Sequence, residues 1–253
     1  MAFTTPPKHA YFFDDPANRG KDAMRNLDIP ASDFSNVTFS SVDQFGLSTA
    51  AEIPAAANSF IAIKPQAPAG EGIFILLFVR LPNGPDALLV DAQTDSSSPG
   101  NLSLGFANFS SGSSSNPLSL PFAFNIFTGF NQIAMVGVFL ADAEGRGGMA
   151  GYNFSHPSAI SDPIRSVDYA LPDDGWSGLA AAGGSLLIGV DSDQNDNLSD
   201  YHLLGVLVWD QISSESQVET LALEAINNGQ GLTFPIGAET PLSRGRNRNR
   251  QRI

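Results

Sequence analysis

The segment GVDSDQNDNLSDYH crowds seven residues, Asp191, Asp193, Asn195, Asp196, Asn197, Ser199 and Asp200, into ten positions with side-chain oxygens suited to a hard cation. Calcium is a hard cation that takes about six to eight oxygen ligands, which carboxylates, amide carbonyls and backbone carbonyls supply. Four of the seven residues are aspartates, and no lysine or arginine lies between Ser166 and Ser243 to neutralise them. Like charges held this close repel unless a cation sits among them. The pattern therefore points to a calcium site drawing on Asp191, Asp193, Asn195, Asn197 and Asp200, stabilising a loop between two adjacent strands. The competing reading is an Asp/Asn-rich turn whose side chains bond to their own backbone.

Oxygen donors at Asp191, Asp193 and Asn195 follow the D-x-[DN]-x-[DN] opening of helix-flanked calcium loops, but the likeness stops there. No glycine stands at the sixth position and no glutamate at the twelfth, and both flanks are apolar runs of strand character, so the loop is not an EF-hand. Asp142 and Glu144 after VGVFL, and Asp173 beside Trp176, are further donors that could close the shell from neighbouring loops. Each is otherwise a solvated turn residue. Trp176, set between Gly and Ser near Asp174, is a candidate stacking platform for a sugar ring, whereas Trp209 ends the run LLGVLVW and belongs to a core.

Other chemistry finds little support in the spacing. GRGGMA at Gly145 to Ala150 fits G-x-G-x-x-A, yet no helix signal follows it. His9, His156 and His202 lie in unrelated segments, which gives neither a zinc site nor a Ser-His-Asp triad. The absence of cysteine removes thiol nucleophiles, Cys-ligated zinc and disulfides. Paired carboxylates for glycoside hydrolysis are a remaining alternative, because sequence spacing does not set their separation. The expectation is a protein that is not an enzyme.

Charge separates the chain into two parts. Of 13 basic residues, five arginines (Arg244, Arg246, Arg248, Arg250 and Arg252) fall within the last ten positions, leaving eight against 26 acidic residues before them. The body thus carries a formal charge of 8 − 26 = −18. Such a field disfavours nucleic acid and anionic membranes and favours divalent cations. The tail SRGRNRNRQRI reads either as a disordered solvated end or as an arm that contacts nucleic acid or an acidic neighbouring subunit.

The elements that must position these residues are mostly strands. VTFSSV (37–42), SFIAIK (59–64), GIFILLFVR (72–80), DALLVDA (86–92), FNQIAMVGVFLAD (130–142), GSLLIGVD (184–191) and DYHLLGVLVWD (200–210) are short runs rich in β-branched and aromatic residues. Asn83-Gly84 predicts a hairpin joining the third and fourth runs. Val218, Leu221, Ala222 and Ala225 recur at helical spacing after a capping pattern at Ser214 and Gln217. One helix of about a dozen residues, stopped by Asn227-Asn228-Gly229, is expected there. The fold class is all-β, a β-sandwich or jelly roll with one short C-terminal helix. Residues 1–30 read as an irregular arm docking by Tyr11, Phe12 and Phe13, residues 31–241 as the sandwich, and residues 242–253 as the basic tail. The Ser/Gly tract at 110–116 reads as a loop, with a domain split there as the competing reading. No run is long enough to span a membrane, and the first residues lack the pattern of a Sec signal.

The order VGVFLAD, YNFSHPSAISDP, VDYALPDDG and SLLIGVDSDQNDNLSDYHLLGVLVW, over about residues 136–209, resembles an uncharacterised bacterial family of calcium-binding β-sandwich domains found in cyanobacterial and marine extracellular proteins. Asp200-Tyr201 matches that family's D-[YF] step. His202 and Leu203 stand where it has Asn and Asp, which takes those two positions out of the implied ligand set. A weaker likeness is to calcium-dependent jelly-roll lectins. The resemblance implies a calcium-dependent module for adhesion or carbohydrate recognition, located outside the cell, at its surface or on a virion. The alternative is a self-assembling virus coat or filament protein whose arginine tail contacts nucleic acid or other copies of the chain.

Overall fold

The computed structural model describes residues 3–13, 19–44, 47–56, 58–64, 72–81, 88–93, 102–105, 132–141, 146–155, 164–168, 185–189, 200–212 and 214–230. Within them the chain forms thirteen strands and one α-helix. They are β1 (His9–Phe12), β2 (Phe34–Ser35), β3 (Thr38–Gln44), β4 (Leu47–Ile53), β5 (Phe60–Ile63), β6 (Gly72–Leu81), β7 (Leu88–Gln93), β8 (Leu102–Gly105), β9 (Gln132–Ala141), β10 (Arg146–Asn153), β11 (Ile164–Asp168), β12 (Ser185–Ile188), β13 (Tyr201–Ile212) and α1 (Glu215–Gln230).

Two antiparallel sheets make a sandwich. The larger runs β11-β10-β9-β6-β13-β4-β3, with β1 also paired to β13, and the smaller runs β2-β5-β12-β7-β8. At the centre of the larger sheet, β6 and β13 read as unbroken apolar runs because the sheet is covered on both faces. Phe74, Leu76, Phe78, Met135, Leu207 and Trp209 share one cluster with Val218, Leu221, Ala222, Ala225 and Ile226 of α1. The alternate residues Ile73, Ile75, Leu77, Val79, Val206 and Val208 are equally buried. By the two-residue period of a strand they face the smaller sheet.

A bulge in β13 keeps this division consistent along its length. Leu203 pairs with Val79 and Gly205 with Phe78, so Leu204 is an extra residue without a counterpart on β6. The bulge falls where the other edge of β13 changes partner, from β4 at Tyr201–Leu203 to β1 at Gly205–Val208. A Cβ at Gly205 would meet Phe12 Cδ1 at 3.0 Å and the Tyr11 carbonyl oxygen at 3.1 Å, so β1 approaches closely at this point.

Four expectations change. GIFILLFVR and DALLVDA do not form a hairpin: β6 pairs with β13 and β9 in one sheet, while β7 pairs with β12 and β8 in the other. A turn signal acts over a few residues, whereas an apolar run of this length is stabilised most as a central strand, covered on both faces. His9–Phe12, expected within an irregular arm, is a sheet strand with Tyr11 and Phe13 fully buried. The helix spans 16 residues and continues through Asn227 and Asn228, because its apolar stripe on the sheet extends to Ile226. Finally, the runs flanking the acidic loop are not neighbours: β12 lies in the smaller sheet and β13 in the larger.

Around β1, Asp22 is the organising residue. Its carboxylate accepts hydrogen bonds from the backbone N–H groups of Ala10, Met24, Asn26 and Leu27 and from His9 Nδ1. Tyr11 donates its hydroxyl to the Leu27 carbonyl (2.8 Å).

Candidate functional site at the acidic-loop end of the sandwich

Gly189 and Asp200, the described residues on either side of the acidic loop, respectively follow β12 of the smaller sheet and precede β13 of the larger. Gly189 follows β12 with φ +111°, a conformation open to glycine. A Cβ there would lie 2.6 Å from Ile53 Cγ2 and 2.8 Å from the Ser59 carbonyl, with Tyr201 Oη at 3.3 Å. The two sheets therefore meet closely at the root of the loop. Tyr201 Oη and Ser59 Oγ are both buried there and make no hydrogen bond among the described residues. Burial pushes the Tyr201 phenol well above its ordinary pKa, which keeps it neutral.

Asp200 re-enters the described chain at the other end of the loop. Its Oδ1 accepts the backbone N–H of Ala55 at 2.6 Å, tying the loop to the turn after β4. Of the expected calcium ligands, Asp191, Asp193, Asn195 and Asn197 lie outside the described residues, as do Asp142, Glu144, Asp173, Trp176 and the arginines 244, 246, 248, 250 and 252. Among the described residues no group of three or more His, Asp or Glu side chains is placed to hold a metal ion.

Immediately beyond Asp200, polar residues form a row across four adjacent strands of the larger sheet. Thr38 pairs with Glu52, Glu52 with His202, and His202 with Arg80. Alternation from the core residues Tyr201 and Leu203 places this row on the outward face, the one that carries α1 farther along. Thr38 is exposed, and Glu52, His202 and Arg80 are each half-buried. Thr38 Oγ1 donates to Glu52 Oε2 at 3.4 Å.

His202 is the most constrained member of the row. Its Nδ1 is buried and has no hydrogen-bond partner among the described residues. Burial first, then the positive charge of Arg80, holds its pKa below the ordinary histidine value of 6.5, with Glu52 and Asp200 opposing. The imidazole is therefore neutral at pH 7. The row continues past Arg80 to Ile133 of β9, whose carbonyl accepts the backbone N–H of Phe154 at 2.9 Å. The ring of Phe154 packs on the α1-side cluster and lies edge-on to Tyr152, with centroids 5.2 Å apart.

Local sequence carries no motif for this row. Thr38, Glu52, Arg80 and His202 come from four segments, and only strand register brings them together. The one available signal is that Arg80 and His202 interrupt apolar runs near their ends.

No family model matches the chain, and no characterised protein matches it in sequence. Solved structures share its architecture. Domain 4 of AbnA, a GH43 extracellular arabinanase from Geobacillus stearothermophilus in complex with arabinotriose, aligns with TM-score 0.50 and 14% identity, covering 86% of this chain and 98% of that one. A heptameric SAP-like pentraxin from Limulus polyphemus aligns with TM-score 0.44 and 18% identity over 72% of this chain and 84% of that one. Tailspike protein 2 of the Escherichia coli bacteriophage CAB120 aligns with TM-score 0.47 and 12% identity over 85% of this chain but 27% of that one. At these identities the likeness is one of fold, and the chain is an antiparallel β-sandwich with one α-helix among the described residues.

Proposed function

We propose that this chain is a non-enzymatic carbohydrate-recognition module of extracellular or surface type, with calcium bound by Asp191, Asp193, Asn195, Asn197 and Asp200 as its structural ion. The observation that carries the carbohydrate reading is the outward row of Thr38, Glu52, His202 and Arg80, which offers a hydroxyl, a carboxylate acceptor, a neutral imidazole and a guanidinium donor side by side. Sugars present hydroxyls that both donate and accept, so a surface of alternating donors and acceptors matches them. The shared fold with an arabinanase domain bound to arabinotriose is compatible with this reading. Calcium rests on the donor set of the loop, whose end Asp200 lies beside the row.

Retention of the protein on immobilised arabinan, xylan and cellulose, with calcium and after chelation, tests the proposal. Selective retention on at least one matrix, weakened by chelation and without release of reducing sugar, is expected. Passage through every matrix with calcium present would sink it, and release of reducing sugar would show an enzyme instead.

A further inference from the structure

We propose that residues 3–8 form a strap that latches α1 onto the larger sheet, and that strap and helix open together to uncover Trp209 while the two sheets stay paired. The latch is independent of the ligand proposed above.

The strap starts where β1 stops pairing. Lys8 donates its backbone N–H to the Val208 carbonyl at 2.7 Å, and Pro7 and Pro6 before it carry no N–H to continue the ladder. The chain therefore leaves the strand edge and crosses to α1. Two side chains of β13 hold it on the way: Trp209 donates its indole Nε1–H to the Thr5 carbonyl at 2.9 Å, and Asp210 pairs with Lys8 Nζ at 3.6 Å. Phe3 lies edge-on to the Trp209 ring, with centroids 5.3 Å apart and planes at 73°. On the helix itself, Glu224 takes both polar groups of Thr4: the backbone N–H donates to Oε2 at 3.0 Å and the hydroxyl to Oε1.

Such a grip matters for α1. The helix starts three residues after β13 ends, so connectivity restrains its first turn, but Glu224 lies nine residues farther on, about 14 Å along the axis. At that level the face on the sheet is made of Leu221, Ala222, Ala225 and Ile226, two of which have only a methyl group to bury. A helix of 16 residues is marginal by itself in water and draws most of its stability from packing.

Trp209 is the residue beneath the latch. It is 2% exposed and stacks on Phe74, with centroids 5.5 Å apart and planes at 25°. The strap supplies its edge contact with Phe3 and its hydrogen-bond acceptor at Thr5, so release frees the ring edge and the indole N–H together. The central strands β6 and β13 are held by their ladders to each other and to β9 and β4, without the strap. Strap and helix are thus a unit that opens below the free energy of global unfolding.

Hydrogen exchange followed by mass spectrometry on the full chain tests the latch with E224A, E224Q and F3A. Alanine is a better helix former than glutamate, so faster exchange in E224A cannot come from a lost helix preference. E224A should speed exchange in α1 about tenfold, and F3A should speed it as well. E224Q, which keeps an acceptor for the Thr4 N–H, should lie closer to wild type. Peptides from β6 and β9 should exchange at the wild-type rate in all three. In a W176F background, which leaves Trp209 as the sole tryptophan, acrylamide should quench the fluorescence more strongly in E224A. Unchanged α1 exchange in both E224A and F3A would overturn the inference, as would an equal rise across α1, β6 and β9, which is global unfolding. Faster α1 exchange with unchanged Trp209 quenching would show the helix opening without the strap, and would overturn it too.

Discussion

His9 Nδ1 donates to Asp22 Oδ2 at 2.8 Å, with both side chains shielded from solvent, at the point where the turn after β1 folds back onto that strand. Burial alone would raise the Asp22 pKa. The hydrogen bonds from His9 and from the backbone N–H groups of Ala10, Leu27 and Met24 outweigh it and hold the carboxyl below its ordinary 3.8. A depressed carboxylate pKa stabilises the fold fully above the unfolded value, and that contribution is lost as pH falls through the folded value.

Replacing Asp22 by Asn should therefore destabilise the protein most at neutral pH. A loss of about 3–5 kcal/mol is expected, because several backbone donors and His9 lose a charged acceptor at once. The difference in melting temperature between wild type and D22N should narrow as pH drops below about 4. Calorimetric scans from neutral to acid pH check this. A gap of constant size would show that the Asp22 charge does not contribute.

Calcium binding to the native state should raise stability by about 2.7 kcal/mol at a hundredfold excess over Kd. Thermal melts with calcium and with chelator should separate, and a double substitution of Asp191 and Asp193 by Asn should merge them. Superimposable wild-type curves, with no calcium found by elemental analysis, would remove the ion from the proposed function.

Gly189 should tolerate no side chain. Its φ of +111° and the fixed Ser59 carbonyl 2.8 Å from the Cβ position predict that G189A costs about 2 kcal/mol or more. Urea unfolding gives the number. An unchanged midpoint would mean that the sheets at the root of the acidic loop separate easily.

Deletion of residues 243–253 distinguishes a recognition module from a coat or filament subunit. For a module, melting temperature, calcium response and oligomeric state should stay unchanged, since a solvated basic tail adds no packing. Loss of a native oligomer, or of salt-sensitive nucleic-acid binding, would favour the assembly reading, because phosphate contacts release counterions. Sizing chromatography and binding at two salt concentrations read both outcomes.

The larger part of the strand set was legible in the sequence because strand formation is local. Seven apolar runs coincide with β3, β5, β6, β7, β9, β12 and β13, and Ser214, whose Oγ accepts the Gln217 N–H at 3.3 Å, marks the start of α1. Two of the strands left unread, β4 and β10, lack that signature. The segment of β4, LSTAAEI, is rich in small residues, and that of β10, RGGMAGYN, is rich in glycine. Both are strands because their neighbours hold them in register, not through intrinsic preference.

Partnership was beyond local reading. Asn83-Gly84 signals a turn, but nothing within a few residues of it tells β6 to pair with β13, more than a hundred residues later, and not with β7. The acidic loop shows the same division. Its residue types announce the chemistry of hard-cation ligands, whereas its position as a crossing between sheets depends on which sheet each flanking strand joins. His202 falls outside the implied ligand set because it stands where the resembled family has Asn. Tertiary structure places it between Glu52 and Arg80, from segments about 150 and 120 residues away, with a buried ring nitrogen that has no hydrogen-bond partner among the described residues. Composition and periodicity determined by themselves that this chain builds an acidic sandwich. Only long-range register, set by burying β6 and β13 on both faces, decided which polar residues share a surface.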